Sequence, residues 1–472
     1  MFISSEIILP FATNFVDDLN EALKKIEPQA GLSKTQKGWL CFCILGIAVT
    51  NSICWKQFER ASLGFYLHAS LSWMFRHSKI FWHILLRASV EVILCNYGIT
   101  EGVLVIDDSD KKRSKSTKRI YKTHKIKDKA SGGFINGQSI ILLLLVTPAV
   151  TIPVGFEFYM PDPDVTAWNK LDEKLRKQGA PKQARPPKSP KNEKYPTKQE
   201  VGLRLLEDFH SHHTSIDVKC VIADALYGTD KFTARASDIF GDVQVISRLR
   251  KSQNIRFRTK EMNVASYFSK FPGTPQKIRV RGGEEVTVIV GSARLHVCSH
   301  GKKRFVIALK YEGEEEYRYL VASDLSWRTL DIVQAHTLRW LVEVFFQDWK
   351  SYEGWGHLTK QPDEEGSRRS LILSLLLDHC LLLHPEQLAR LENKLPACTV
   401  GSLRERVKVE SLIQVIRKVI LSNNPEEMLG RLVKAAKDIF QLASSKKHMM
   451  NRELGCLEPT PSLNYKVKYC LA

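Results

Sequence analysis

"GVLVIDDS", residues 102–109, is an unbroken apolar run that stops on two adjacent carboxylates. Such a run, rich in Val, Leu and Ile, suits a strand covered on both faces, and its acids mark where the strand leaves the core. Two more strands are expected at "QSIILLLLV" (138–146) and "VTIPVGFEFYM" (150–160), joined by a turn at Pro148. A helix over "KQEVGLRLLEDFH" (198–210) then leads into "VKCVIADALYG" (218–228), a second apolar strand closing on an acid, Asp224. Helix "DKFTARASDIF" (230–240) and strand "DVQVISRLR" (242–250) follow. Three strands in succession and then alternating helix and strand describe an α/β layout.

The flanks differ in character. Residues 1–98 carry helical apolar periodicity through "QKGWLCFCILGIAV", "FERASLGFYL" and "IFWHILLRASVEVILC", broken by short polar turns. Compact helices of this kind suit a simple bundle or a helix-turn-helix reader of DNA. Between 250 and 325 the pattern turns to strands and tight turns, as in "KIRVRGGEEVTVIVG", "RLHVCSHGKKRFVIAL" and "EYRYLVAS". Five regions result: helical 1–98, core 99–249, a β-rich insertion 250–325, a second core part 326–395 and a helical 396–472.

Charge narrows the function classes. The 472 residues hold 70 Lys+Arg against 51 Asp+Glu, a formal +19 with pI near 9.4, which favours polyanionic partners. "KKRSKSTKRIYKTHKIKDK" (111–129) holds about ten cations against one acid, Asp128, and begins where the first acidic strand ends. Lys111, Lys112 and Arg113 at its start are therefore candidate phosphate contacts. "PKQARPPKSPKNEKYPTK" (181–198) reads as an extended basic loop. Ten scattered cysteines form no Cys-x-x-Cys pair, and His296, Cys298 and His300 have no second ligand cluster nearby. The run "LILSLLLDHCLLL" is too short for a membrane span and is interrupted by Asp378 and His379. A cytoplasmic, nucleoid-associated protein without a membrane partner is expected.

"RWLVEVFFQDWK" (339–350) supplies the third acid. On a helix, Glu343 falls roughly 40° and Lys350 roughly 20° around from Arg339, with His336 in the same arc. Large apolar residues fill most of the remaining circumference. A carboxylate between cations on such an edge suits either an ion-pair ladder or a site where metal and phosphate meet. Strand-end carboxylates joined by one from a packed helix can hold two divalent cations roughly 3.5–4 Å apart, as phosphodiester chemistry requires. Mg²⁺ fits, since it takes oxygen ligands and keeps reactive waters.

The order strand acid, strand acid, helix acid between cations resembles the cut-and-paste DDE transposases of bacterial insertion sequences. These have an RNase H-like fold, and the likeness is to the insertion-sequence-four superfamily. "IDDS", "VIADALYG", "FINGQS", "TIPVGFEFY" and "GWGH" carry it, together with Arg339-x3-Glu343-x6-Lys350, which fits the family's Tyr-x2-Arg-x3-Glu-x6-Lys spacing. The likeness covers roughly residues 95–390. It implies an RNase H-like mixed sheet with a β-rich insertion between helical flanks. It further implies a catalytic, metal-binding triad of Asp108, Asp224 and Glu343, with Asp108 preferred to Asp107 because the family's acid precedes Ser or Thr, here Ser109. Two Mg²⁺ ions, replaceable by Mn²⁺, would serve it, and His336, Arg339 and Lys350 would contact DNA. His336 stands where the family has Tyr, which puts a hairpin intermediate in question. Double-stranded DNA, as element ends and target, and a homodimer at synapsis complete the expectation. A nuclease without strand transfer, and a degenerate transposase that only binds DNA, are the alternatives.

Overall fold

In the computed structural model, residues 9–114, 116–128, 131–280, 283–357, 361–440 and 461–462 are described. Lys115 and Lys129 of the basic stretch, and nearly all of the tail beyond 440, lie outside them. The strands are β1 (Glu101–Lys112), β2 (His124–Lys127), β3 (Phe134–Val146), β4 (Thr151–Tyr159), β5 (Asp217–Ala223) and β6 (Gln244–Leu249). The insertion adds β7 (Asn254–Phe257), β8 (Lys260–Asn263), β9 (Thr274–Arg279), β10 (Glu285–Val297), β11 (Lys302–Tyr311) and β12 (Arg318–Ala322).

β3 pairs antiparallel with β1 and with β4, while β5 and β6 run parallel to β1 in the order β4-β3-β1-β5-β6. This is the RNase H-like mixed sheet that the sequence leads one to expect. β1 lies at its centre, and Leu104, Val105 and Ile106 are fully buried. The continuous apolar run is thereby accounted for, since a central strand covered on both faces has no solvent side. Short β2, which apolar patterning does not announce, pairs with the start of β3. The insertion is not a separate sheet: β12 pairs with β6, so β11, β10 and β7–β8 continue the core sheet sideways.

Helix Lys198–His212 covers one face of the sheet, and Gly202 is what lets it approach. A Cβ there would fall 2.7 Å from Ile106 Cδ1 and 3.1 Å from the Tyr227 ring. The N-terminal helices Pro10–Ile26, Lys34–Thr50, Trp55–Ala61, His68–His77 and Trp82–Tyr97 share one apolar core with the sheet. So does helix Glu364–Leu382, which contains all but the last residue of "LILSLLLDHCLLL" and is buried along most of its length. No single described helix is long and apolar enough to cross a membrane.

Contacts divide the chain into Met1–Lys418 and Val419–Ala472. The second unit contains helix Pro425–Ile439, capped by Asn424, with Leu429 and Val433 exposed.

Two glycines on helices test this packing from opposite sides. Gly202→Ala is expected to destabilise by about 1–3 kcal/mol through overpacking. Gly38→Ala, with nothing within 4 Å of the added Cβ, is expected to stabilise by about 0.5–1 kcal/mol. Urea unfolding of both variants checks the pair; equal effects would contradict the packing described.

Candidate active site

Asp107 and Asp108 are consecutive on β1, so their side chains leave opposite faces of the sheet. The even face, Ile106 and Asp108, looks toward helix Lys198–His212, whose Lys198 Nζ lies 2.6 Å from Asp108 Oδ2. Lys198 also sits over the Tyr159 ring, 5.2 Å from its centroid. The odd face, Asp107, Ser109 and Lys111, looks toward helix Trp340–Tyr352. Arg339, at the N-cap of that helix, brings Nη1 to 3.2 Å from Asp107 Oδ2 and 3.3 Å from Glu343 Oε1. Lys350 Nζ donates to Ser109 Oγ at 2.6 Å, and Lys111 Nζ donates to the Gly356 carbonyl.

Asp224 follows β5. The register pairs Ile106 with Ala223, so Asp107 and Asp224 occupy the next position on neighbouring parallel strands. Its carbonyl accepts from Ser247 Oγ at 2.8 Å, and Arg248 Nη1 of β6 lies 3.9 Å from its Oδ1. The insertion ties this loop down from the far side. His300 Nε2 meets the Gly228 carbonyl at 3.0 Å, and buried Arg304 bonds Asp230 Oδ1 at 2.7 Å. His300 is thus engaged in holding the loop.

The acids form a gradient of exposure. Asp107 is nearly buried, whereas the side chains of Asp224 and Glu343 are 37% and 47% exposed. Burial, reinforced by Asp224, pushes the Asp107 carboxyl up to about 7, although the Asp108 backbone N–H and Arg339 pull the other way. Burial also lowers the Lys111 ammonium to about 8, helped by Arg113 and Lys350. Lys350 lies 5.1 Å from the Trp355 ring centroid. Trp355 is buried and stacked on Trp349 at 4.4 Å, and Trp327 is partly buried against the core.

His336 lies in a separate helix, Thr329–Thr337, because the chain turns at Leu338–Arg339. It is buried, and its Nε2 has no hydrogen-bond partner. Burial, with Arg248, Arg339 and Arg318 around it, lowers the imidazole to about 3, so it is neutral at physiological pH. Lys112 is exposed and pairs with Asp128, and Arg113 reaches Gln138 Oε1 at 3.2 Å.

The structure therefore gathers Asp107, Asp224, Arg339, Glu343 and Lys350 at one end of the sheet, and directs Asp108 to the other face. Two neighbours were missed in the sequence. Arg248 sits in "VISRLR", where a strand-end arginine reads as an ordinary solvated charge. Tyr227, in "DALYG", is buried with its hydroxyl unpartnered and with Asp108, Asp107 and Asp224 as charged neighbours. Among the described residues, no three His, Cys, Asp or Glu side chains stand close enough to hold one ion. The donors nonetheless suit a hard divalent cation: they are carboxylate oxygens, and a cationic nitrogen of Arg339 already bridges Asp107 and Glu343.

Residues 60–291 match the family described as "DDE superfamily endonuclease". The matched region includes Asp107, Asp108, Asp224 and Arg248 and ends before Arg339. No curated protein matches the chain. A solved structure, described as "Cryo-EM structure of piggyBac transposase synaptic complex with hairpin DNA (SNHP)", is similar over 95% of this chain and 86% of that one. The identity is 9% and the TM-score 0.41, a level from which no activity is transferred.

The raised Asp107 carboxyl has a consequence for stability. Its folded value, about 7, lies above the unfolded one, so the native state holds the extra proton between roughly pH 4 and 7. The contribution of this group must therefore fall as pH rises through that window and level off above it. Thermal melts of the wild type should lose on the order of 2–4 kcal/mol relative to Asp107→Asn across the window. Parallel pH profiles would show that Asp107 does not titrate late.

Proposed function

We propose that this protein is a DNA transposase of the insertion-sequence-four kind. It would bind the ends of its own element, cut them, and join the 3′ ends to target DNA. The observation that carries this reading is the bridge from Asp107 through Arg339 to Glu343, beside Asp224 at the same level of the sheet. Asp107, rather than Asp108, is the first acid of the set, because strand alternation sends Asp108 to Lys198. The DDE endonuclease match over residues 60–291 supports the class of chemistry.

Asp107, Asp224 and Glu343 would hold two Mg²⁺ ions, or Mn²⁺ in their place. When bound, such ions activate a water or hydroxyl for attack and stabilise the leaving oxygen. The remaining roles belong to the chain itself. Arg339 neutralises two acids at once in the absence of DNA, and a phosphate approaching its planar fork competes with both. Drawing Arg339 onto phosphate would free the oxygens of Glu343 and Asp107 for a cation, which would take over the compensation that Arg339 gives them. Lys350 and Lys111 line the same edge as point charges, and Arg248 reaches it from β6. His336, buried and neutral, has no charge to offer the DNA. Helices in residues 1–98 are assigned to end recognition, and pairing of two ends calls for a homodimer. The basic residues supply salt-sensitive, sequence-independent affinity for double-stranded DNA.

The test uses a plasmid carrying the gene with its native flanking DNA, purified protein and Mg²⁺. Glu343→Gln and Asp107→Asn should each lose at least about a hundredfold in cleavage rate at the element borders, the scale of losing one preorganised electrostatic group. Asp108→Asn should lose far less. The reverse ranking would return the role to Asp108. Cleavage without a strand-transfer product would make the protein a nuclease, and DNA binding without any cleavage would make it a binding protein.

A further inference from the structure

We propose that the ribbon formed by β2 and the start of β3 is a DNA wedge, with Phe134 inserting between base pairs of a duplex held at the site. The proposal rests on the DNA-cutting reading above and adds a contact outside the catalytic group. β3 runs on past its last pairing with β1, Lys112 opposite Gly137, and from there it pairs with β2, Lys127 opposite Phe134. Residues directly opposite in an antiparallel pair share a face. One face of the ribbon therefore carries His124, Ile126, Ile135 and Gly137, and the other carries Lys125, Lys127, Asn136 and Phe134. The first face is the anchor. Ile126 is buried, His124 Nε2 meets Ser139 Oγ at 3.2 Å, and a Cβ on Gly137 would fall 2.6 Å from Ile126 Cδ1.

On the second face Asn136 is half-buried and donates to the Thr117 carbonyl at 2.7 Å, while Lys125 and Lys127 are exposed and Phe134 is 64% exposed. An aromatic ring left in water at the head of a strand, beside two exposed lysines, is not needed by the fold. Its surroundings decide the partner. Lys125 and Lys127 are exposed on the same face, and Lys118 and Arg119 are exposed next to Thr117, whose carbonyl accepts from Asn136 of that face, so cations accompany the ring. A duplex has the complementary arrangement, phosphates outside and apolar base faces within, and apolar side chains do wedge between base steps and kink DNA.

Reach is consistent with this role. Asp107 lies opposite Leu142, eight residues along β3 from Phe134 (142 − 134), which is roughly 25 Å at about 3.3 Å per residue. The ribbon extends beyond the carboxyl side of β1, the end where Asp107 lies. A duplex cut at the acids would meet Phe134 about seven base pairs away, at 3.4 Å per pair.

A border duplex labelled at both ends for energy transfer tests the wedge, with nicking followed on the same DNA. The wild type should bend it, by about 20–90°. Phe134→Ala should bind with an unchanged melting temperature and lose the bend, and Phe134→Leu should keep it. 2-Aminopurine placed along the duplex should change fluorescence at about six to nine base pairs from the nick. Replacing Lys125 and Lys127 together by Ala should reduce the slope of log affinity against log salt by about two. A wild type that nicks without bending, or a Phe134→Ala variant that bends as well as wild type, overturns the wedge and leaves the nuclease reading intact. A wild type that neither binds nor nicks overturns both. If Phe134→Ala instead abolishes binding to phosphatidylserine vesicles while bending persists, the ribbon is a membrane contact and the wedge is overturned.

Discussion

Two carboxylates in succession on a buried central strand cannot share one environment. The pleat sends Asp107 and Asp108 to opposite faces of β1, and each face is closed by a different helix. Helix Lys198–His212, brought close by Gly202, offers Lys198 to Asp108. Helix Trp340–Tyr352 offers Arg339 to Asp107. From this parity follow which acid lies beside Arg339 and Glu343 and which basic residues surround it. Ser109 and Lys111 continue the odd face and meet Lys350 and the Gly356 carbonyl, so one edge of one strand lines the whole group.

Electrostatics then explain why the group is poised rather than simply paired. Three acids and their cations are unevenly solvated. Asp107 is almost dry, and burial next to Asp224 holds its carboxyl near neutrality despite Arg339. Glu343 and Asp224 are partly in water. Arg339 is buried and divides one nitrogen between two carboxylates, a compromise that favours any stronger anion able to reach the guanidinium. A buried pair such as Arg339 and Asp107 contributes little net stability. The insertion contributes stiffness, since β11 and the turn before it hold the Asp224–Asp230 loop through His300 and Arg304.

Much of the architecture is legible in the sequence. Unbroken apolar runs at 102–106, 140–146 and 220–223 mark strands covered on both faces. The 3.6-residue pattern marks the helices, and the turn-rich stretch after 250 marks the insertion. Asp224, Arg339, Glu343 and Lys350 stand out because residue type and spacing are local properties. The short strand β2 has no such signature, since "HKIK" is mostly polar and pairs only because β3 continues past β1. The turn at Leu338–Arg339, which separates His336 from Glu343, has neither Pro nor Gly to announce it.

The sequence by itself determined which segments are strands and helices and which residues carry charge, because those depend on neighbours a few positions away. Only the tertiary structure decided that Asp107, not Asp108, faces Arg339 and Glu343. "GVLVIDDS" is apolar on both of its faces, so it holds no parity signal; the choice lies with the helices that cover the sheet, contributed about a hundred and more than two hundred residues later. The same holds for Arg248, which comes within 3.9 Å of Asp224 because β6 lies parallel beside β5. These are long-range packing facts, and no local pattern encodes them.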